Sequence, residues 1–179
     1  VVLYTASNAE LALAACRERF ALPQGVNYRD GNSLGALPKT VAPRLQRAVE
    51  QEWGVGLIRS WNDADWYPAP QRVGSRIALL IGAAANEVVA ADSTSVNLFK
   101  VLAAALRMNP GRRRIVGELG NFPTDAYIAS GVAELMNAEF VALEPDAVLG
   151  AIDTSVAIVS LTHVNYKTGR MYDMAGITR

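Results

Sequence analysis

Apolar positions recur along this chain in two rhythms, and the change of rhythm near Gly82 divides it. Before that point the spacing is helical. Ser7 followed by Glu10 forms a capping-box signature and predicts a helix from about Asn8 to Phe20. Leu22 to Pro38 reads as irregular, punctuated by Pro23, Gly25, Gly31, Gly35 and Pro38. Val41, Leu45, Ala48, Val49 and Trp53 fall on one face of a second helix. Gly54 to Pro70 reads as a loop rich in Trp, Asp and Pro, and Val73, Ile77, Leu80 and Ile81 mark the stripe of a third helix.

After Gly82 short apolar runs alternate with helical spacing. The runs are Val88 to Ala91, Ile115-Val116, Phe140 to Leu143 and Val156 to Leu161. Between them lie a helix carrying Val96, Phe99, Ala103 and Leu106, a second from Thr124 to about Asn137, and a short one near Asp146 to Ile152. Short buried strands separated by helices predict βαβ units and a mostly parallel sheet, an α/β fold. Residues 1–82 are thus expected to form a helical N-terminal segment and residues 83–179 an incomplete α/β domain. Met171 to Arg179 begins another helix without a stop signal, so the sequence reads as interrupted.

Composition narrows the function. The 179 residues carry 17 basic and 17 acidic side chains, a balance that gives no support for nucleic-acid binding or for adhesion to an anionic membrane. Arg112-Arg113-Arg114 reads as the solvated entry to a strand. Cys16 is the only cysteine, so no internal disulfide forms, which fits a reducing, cytoplasmic setting. No stretch reaches the ~18 apolar residues of a membrane span. Val1 to Tyr4 lacks the basic flank of a signal peptide and there is no initiator Met. Metal-ligand spacing of Cys and His, a phosphate loop and a nucleophile elbow are absent, and Gly54 to Arg59 lacks the third glycine of a dinucleotide fingerprint.

Three polar junctions follow apolar runs, where open α/β sheets bind their ligands. In Asp92-Ser93-Thr94-Ser95 a helix start offers free amides, a positive dipole end and three hydroxyls. Those hydroxyls suit either a phosphate or simple capping of the helix. In Asn121-Phe122-Pro123-Thr124-Asp125, Phe122 can stack on a planar ring, and Asp125 is either a ligand group or a dipole partner. In Thr162-His163-Val164-Asn165-Tyr166-Lys167-Thr168-Gly169, Thr162 can donate to a ligand, and His163, the only histidine, reads as structural or exposed before it reads as catalytic.

Asp30-Gly31-Asn32-Ser33-Leu34-Gly35, Arg59-Ser60-Trp61-Asn62, Asp92 to Leu98, Phe122 to Asp125 and Thr162 to Gly169 together, and in this order, resemble the motifs of kynureninases. The likeness runs from about Tyr28 to the end of the chain. It implies the large domain of the aspartate-aminotransferase fold type (fold type I), pyridoxal 5'-phosphate (PLP) as cofactor, and a homodimer with shared sites. It also implies hydrolysis of L-kynurenine to anthranilate and L-alanine in tryptophan catabolism and NAD biosynthesis, with 3-hydroxy-L-kynurenine as a variant substrate. By the same resemblance Thr94 and Ser95 meet the PLP phosphate. Phe122 stacks on the ring, with Pro123, Thr124 and Asp125 beside it, and Thr162 is a further cofactor contact. Ser33 and Trp53 match substrate-side positions. The family's cofactor lysine does not match Lys39, Lys100 or Lys167, so no catalytic residue is expected in this chain, and activity from the chain alone is not expected. Two alternatives compete: another fold-type-I PLP enzyme, such as a cysteine desulfurase or a small aminotransferase, and a non-catalytic α/β module that binds a phosphate or a partner.

Overall fold

The structure, a computed structural model, describes residues 15–31 and 33–179 and divides into two compact units, Val1–Val89 and Ala90–Arg179. The capping box at Ser7 and Glu10 and most of the expected first helix lie outside the described residues. Residues 15–17 are helical, and Phe20 then forms an isolated antiparallel bridge with Pro38.

In the first unit, α1 (Val41–Arg47) runs directly into a π-helix, Ala48–Trp53. The wider turn shows in its bonds: the Gly54 amide donates to the Val49 carbonyl and the Gly56 amide to that of Gln51, each at 2.9 Å. The Glu52 carbonyl is taken instead by the Ser60 hydroxyl at 2.5 Å. The expected loop over Gly54 to Pro70 is more ordered than its composition suggested. It holds a 3-10 turn, Leu57–Arg59, and one turn of α-helix, α2 (Ser60–Asp63). Helix α3 (Ala69–Ile81) carries Pro in its first turn, where the missing N–H costs nothing, and ends at Gly82 in the left-handed region (φ 73°).

The expected apolar stripes of these helices are not the buried faces. Leu45, Val49 and Trp53 are exposed, as are Val73, Ile77, Leu80 and Ile81; α3 buries Gly74 and Ala78 instead. The reason is a close backbone approach: a Cβ on Gly74 would lie 2.1 Å from the Val88 carbonyl oxygen. Val88 and Val89 therefore pack on α3, and the run Val88 to Ala91 forms no strand, contrary to the periodicity reading.

The second unit is α/β, as expected. Helix α4 (Thr94–Met108) leads into β1 (Arg114–Glu118), α5 (Pro123–Leu135), β2 (Glu139–Leu143) and β3 (Val156–Ser160), with α6 (Met174–Ile177) near the end. The sheet order is β2-β1-β3, all parallel, with Arg114 to Glu118 paired against Glu139 to Leu143 and Ile115 against Ile158. This is consistent with part of a fold-type-I large domain. The expected short helix near Asp146 is two 3-10 turns, Pro145–Ala147 and Leu149–Ala151.

Alternation along β1 builds a core on each face. Ile115 is fully buried with Leu102 and Leu106 of α4 and with Ala129, Val132 and Ala133 of α5. The next residue, Val116, faces the other way, against Val148 and Val156. The three arginines at the entry to β1 are engaged there: Arg112 and Arg113 donate to the carbonyls of Val156 and Met136, and Arg114, the first residue of the strand, lies 3.5 Å from Glu139. A strand-entry role fits them. Among the described residues no helix is long and apolar enough to cross a membrane.

Candidate functional site

Parallel strands send all their carboxyl ends to one edge, so the chain segments after β1 and β3 meet there, beside the start of α4. One pocket of about 380 Å³ opens at that edge, lined by Thr94, Ser95, Asn121, Phe122, Thr124, Asp125, Thr162 and Tyr166. Six of the seven cofactor-side positions read from the sequence converge here. Pro123 does not line the pocket; it fills the first turn of α5, where its ring fixes the helical φ next to Phe122.

The hydroxyl run before α4 divides its work. Ser93 is the N-cap, and its Oγ accepts from the Val96 amide at 3.4 Å. Thr94 and Ser95 open the helix itself and face the pocket. Capping thus falls to Ser93, which leaves the next two hydroxyl residues lining the pocket. Asp92 sits at φ 44° and pairs with Lys100, while the Asn97 side chain donates to the Ala91 carbonyl at 2.6 Å.

Between β1 and α5 the chain turns at Gly120, whose φ of 80° excludes most side chains. Phe122 follows, half-exposed, its ring 5.3 Å from that of Tyr166 at an interplanar angle of 64°. This is the favourable edge-to-face geometry. Asp125 stands in the first turn of α5, half-buried, and burial holds its carboxyl above the usual range. The helix dipole favours its charge, but desolvation outweighs that here.

The segment after β3 is anchored to the segment after β1. The Thr162 hydroxyl donates to Asn121 Oδ1 at 2.7 Å, and the same oxygen accepts the Phe122 amide at 2.7 Å. Deeper in, Asn165 is buried. Its Nδ2 reaches Glu118 Oε1 and the Gly120 carbonyl, both at 3.4 Å, while its Oδ1 accepts the amides of Lys167 and Thr168. Tyr172 is buried nearby and its hydroxyl titrates higher than usual, first through burial and then through the Glu118 carboxylate.

Asn121, Asn165 and Tyr166 carry this architecture and were not singled out by the sequence. The available signal was position alone: each lies in a junction after an apolar run. His163 is exposed and does not line the pocket. Lys167 Nζ lies 5.4 Å from the Tyr166 ring centroid, outside the lining. Ser33 and Trp53 belong to the first unit. There Ser33 Oγ donates to Asp30 Oδ1 at 2.8 Å, and Trp53, the last residue of the π-helix, is 64% exposed, so its ring is not consumed by packing. Among the described residues no cluster of His, Cys, Asp and Glu could hold a metal ion.

No family model matches the chain. It is similar to curated proteins over almost all its length. It is 52% identical over 180 aligned positions to a kynureninase of Pseudomonas fluorescens, covering 97% of this chain and 43% of that protein. It is 50% identical over 174 positions to kynureninases of Burkholderia mallei and Burkholderia pseudomallei, covering 93% of this chain and 42% of each of those. The chain therefore spans under half the length of the curated relatives it matches. Along nearly the whole of its own length the chain is thus similar to kynureninases at about one position in two, over the part of those proteins that it spans.

Proposed function

We propose that this chain supplies the phosphate- and ring-holding side of a PLP site in a kynureninase that hydrolyses L-kynurenine to anthranilate and L-alanine. The observation that carries this reading is the convergence of Thr94, Ser95, Phe122, Thr124, Asp125 and Thr162 on one pocket. The donor set fits a flat, phosphorylated ring. Two hydroxyls flank the amino end of a fifteen-residue helix, a natural seat for a phosphate dianion. Phe122 lines the same pocket, half-exposed and packed in edge-to-face geometry with Tyr166.

When bound, the cofactor supplies an electron sink for cleaving a carbon–carbon bond beside a carbonyl. The residues of this chain hold it for that purpose. Thr94 and Ser95 would donate to the phosphate, with the α4 dipole adding to their pull. Phe122 would cover the ring and exclude water from it. Asp125 would lie beside the cofactor and Thr162 would be a further contact. Ser33 and Trp53 are proposed as substrate-side residues on the family resemblance, as are 3-hydroxy-L-kynurenine as a second substrate, a homodimer with shared sites and a cytoplasmic setting.

The test is direct. The complete protein, mixed with PLP, should bind it tightly and release fluorescent anthranilate from L-kynurenine. Release of sulfur from cysteine, or amino transfer to a keto acid, in place of anthranilate would favour the other fold-type-I enzymes. Failure to bind PLP would leave the phosphate-binding module as the surviving reading.

A further inference from the structure

One amide oxygen joins two walls of the pocket. Asn121 Oδ1 accepts the Thr162 hydroxyl and the Phe122 backbone N–H, both at 2.7 Å, across a separation of 41 residues in the first case. The Phe122 amide is a donor only, so it fixes which way the Asn121 side chain is turned: a flipped amide would set NH2 against N–H. With the oxygen so placed, the Thr162 hydroxyl has a defined partner and a defined rotamer. Asn121 is itself half-buried at the pocket wall.

We propose that Asn121 is a positioning residue that locks Thr162 and Phe122 into one rigid surface before a ligand arrives. The inference rests on the reading of this pocket as the PLP site. Its energetic content is preorganisation: side chains already held need not be ordered on binding. A capping role confined to the Phe122 amide would not involve Thr162 at all, and this separates the two explanations.

The experiment is a double-mutant cycle on the complete protein, reading the PLP dissociation constant by cofactor absorbance, with melting temperature as the folding control. Asn121→Ala and Thr162→Val should each weaken PLP binding by about three- to tenfold, the scale of one lost neutral hydrogen bond. The double variant should be weaker than the wild type by clearly less than the product of the two single effects, because both substitutions break the Asn121–Thr162 bond, while only Asn121→Ala also loses the Phe122 bond. Asn121→Ser, too short to reach Thr162, takes the place of Asn121→Ala if that variant does not fold. The visible circular dichroism of bound PLP should change in the same way in both single variants. Effects that multiply in the double variant would overturn the inference while leaving the PLP reading intact. A wild-type protein that binds no PLP would overturn both.

Discussion

Ser93 accepts the amide of Val96 through its side chain, and that one bond frees the two hydroxyls that follow it. Ser93→Ala should cost about 1 kcal/mol of stability, the usual loss of an N-cap, with little change in cofactor affinity. Thr94→Ala and Ser95→Ala should do the reverse, weakening PLP binding by roughly 1.5–3 kcal/mol each as charge-assisted donors are lost. Chemical denaturation and PLP titration on the same three variants of the complete protein check this. Equal loss of affinity in all three would refute the division of labour.

The raised Asp125 pKa implies a cost to folding. Burial raises its folded-state pKa, so the unfolded chain ionises first as pH rises. Below the unfolded value the group is neutral in both states and has no effect. Above the folded value the penalty is fully present. Asp125→Asn should therefore raise the cofactor-free melting temperature at pH 7, with the gain fading toward pH 3, and should weaken PLP binding. Melting curves across that range test the sign.

Glu52 runs the opposite way. Its carboxyl is held below the usual range, first by the Trp66 indole N–H at 2.8 Å, then by Arg44 and Arg47. A lowered folded-state pKa gives stability that is present above the unfolded value and lost as pH falls through the folded one. Glu52→Gln should lower the melting temperature at pH 7 and match the wild type in strong acid. Trp66 fluorescence should report the same titration in the wild type and not in the variant.

The three lysines lie outside the pocket lining. Lys100 is paired with Asp92, Lys167 lies over the Tyr166 ring, and Lys39 is exposed just ahead of α1. Borohydride reduction of the 179-residue chain with PLP, followed by mass mapping, should give sparse and scattered phosphopyridoxyl labels. A stoichiometric label on Lys167 would show that the loop after β3 carries the reactive amine.

Much of the second unit was legible because its signals are local. Ile115-Val116, Phe140 to Leu143 and Val156 to Leu161 are short runs flanked by helical spacing, and each became a strand. Val88 to Ala91 looks the same in sequence. Nothing in a four-residue run reveals whether a strand or a helix will lie beside it, and here Gly74 of α3 took that place. The exposed stripes of α1 and α3 teach a related lesson: periodicity marks an apolar face but not what covers it. At the site, hydroxyl and aromatic residues announced themselves by type. Asn121 did not, since its importance lies in a partner 41 residues away.

That long reach has a kinetic meaning. The Asn121–Thr162 bond can form only after the chain leaving β2 has crossed over β1 to set β3 on its far side, a non-local and slow class of contact. The capped start of α4, by contrast, is built from neighbours in sequence. On the proposed reading, the phosphate side of the pocket is built from local contacts and the ring side from a long-range one, so the first is expected to form earlier. A cofactor meeting the protein during refolding would find its anchor before its cradle, and would stabilise the finished sheet by mass action without speeding the step that completes it.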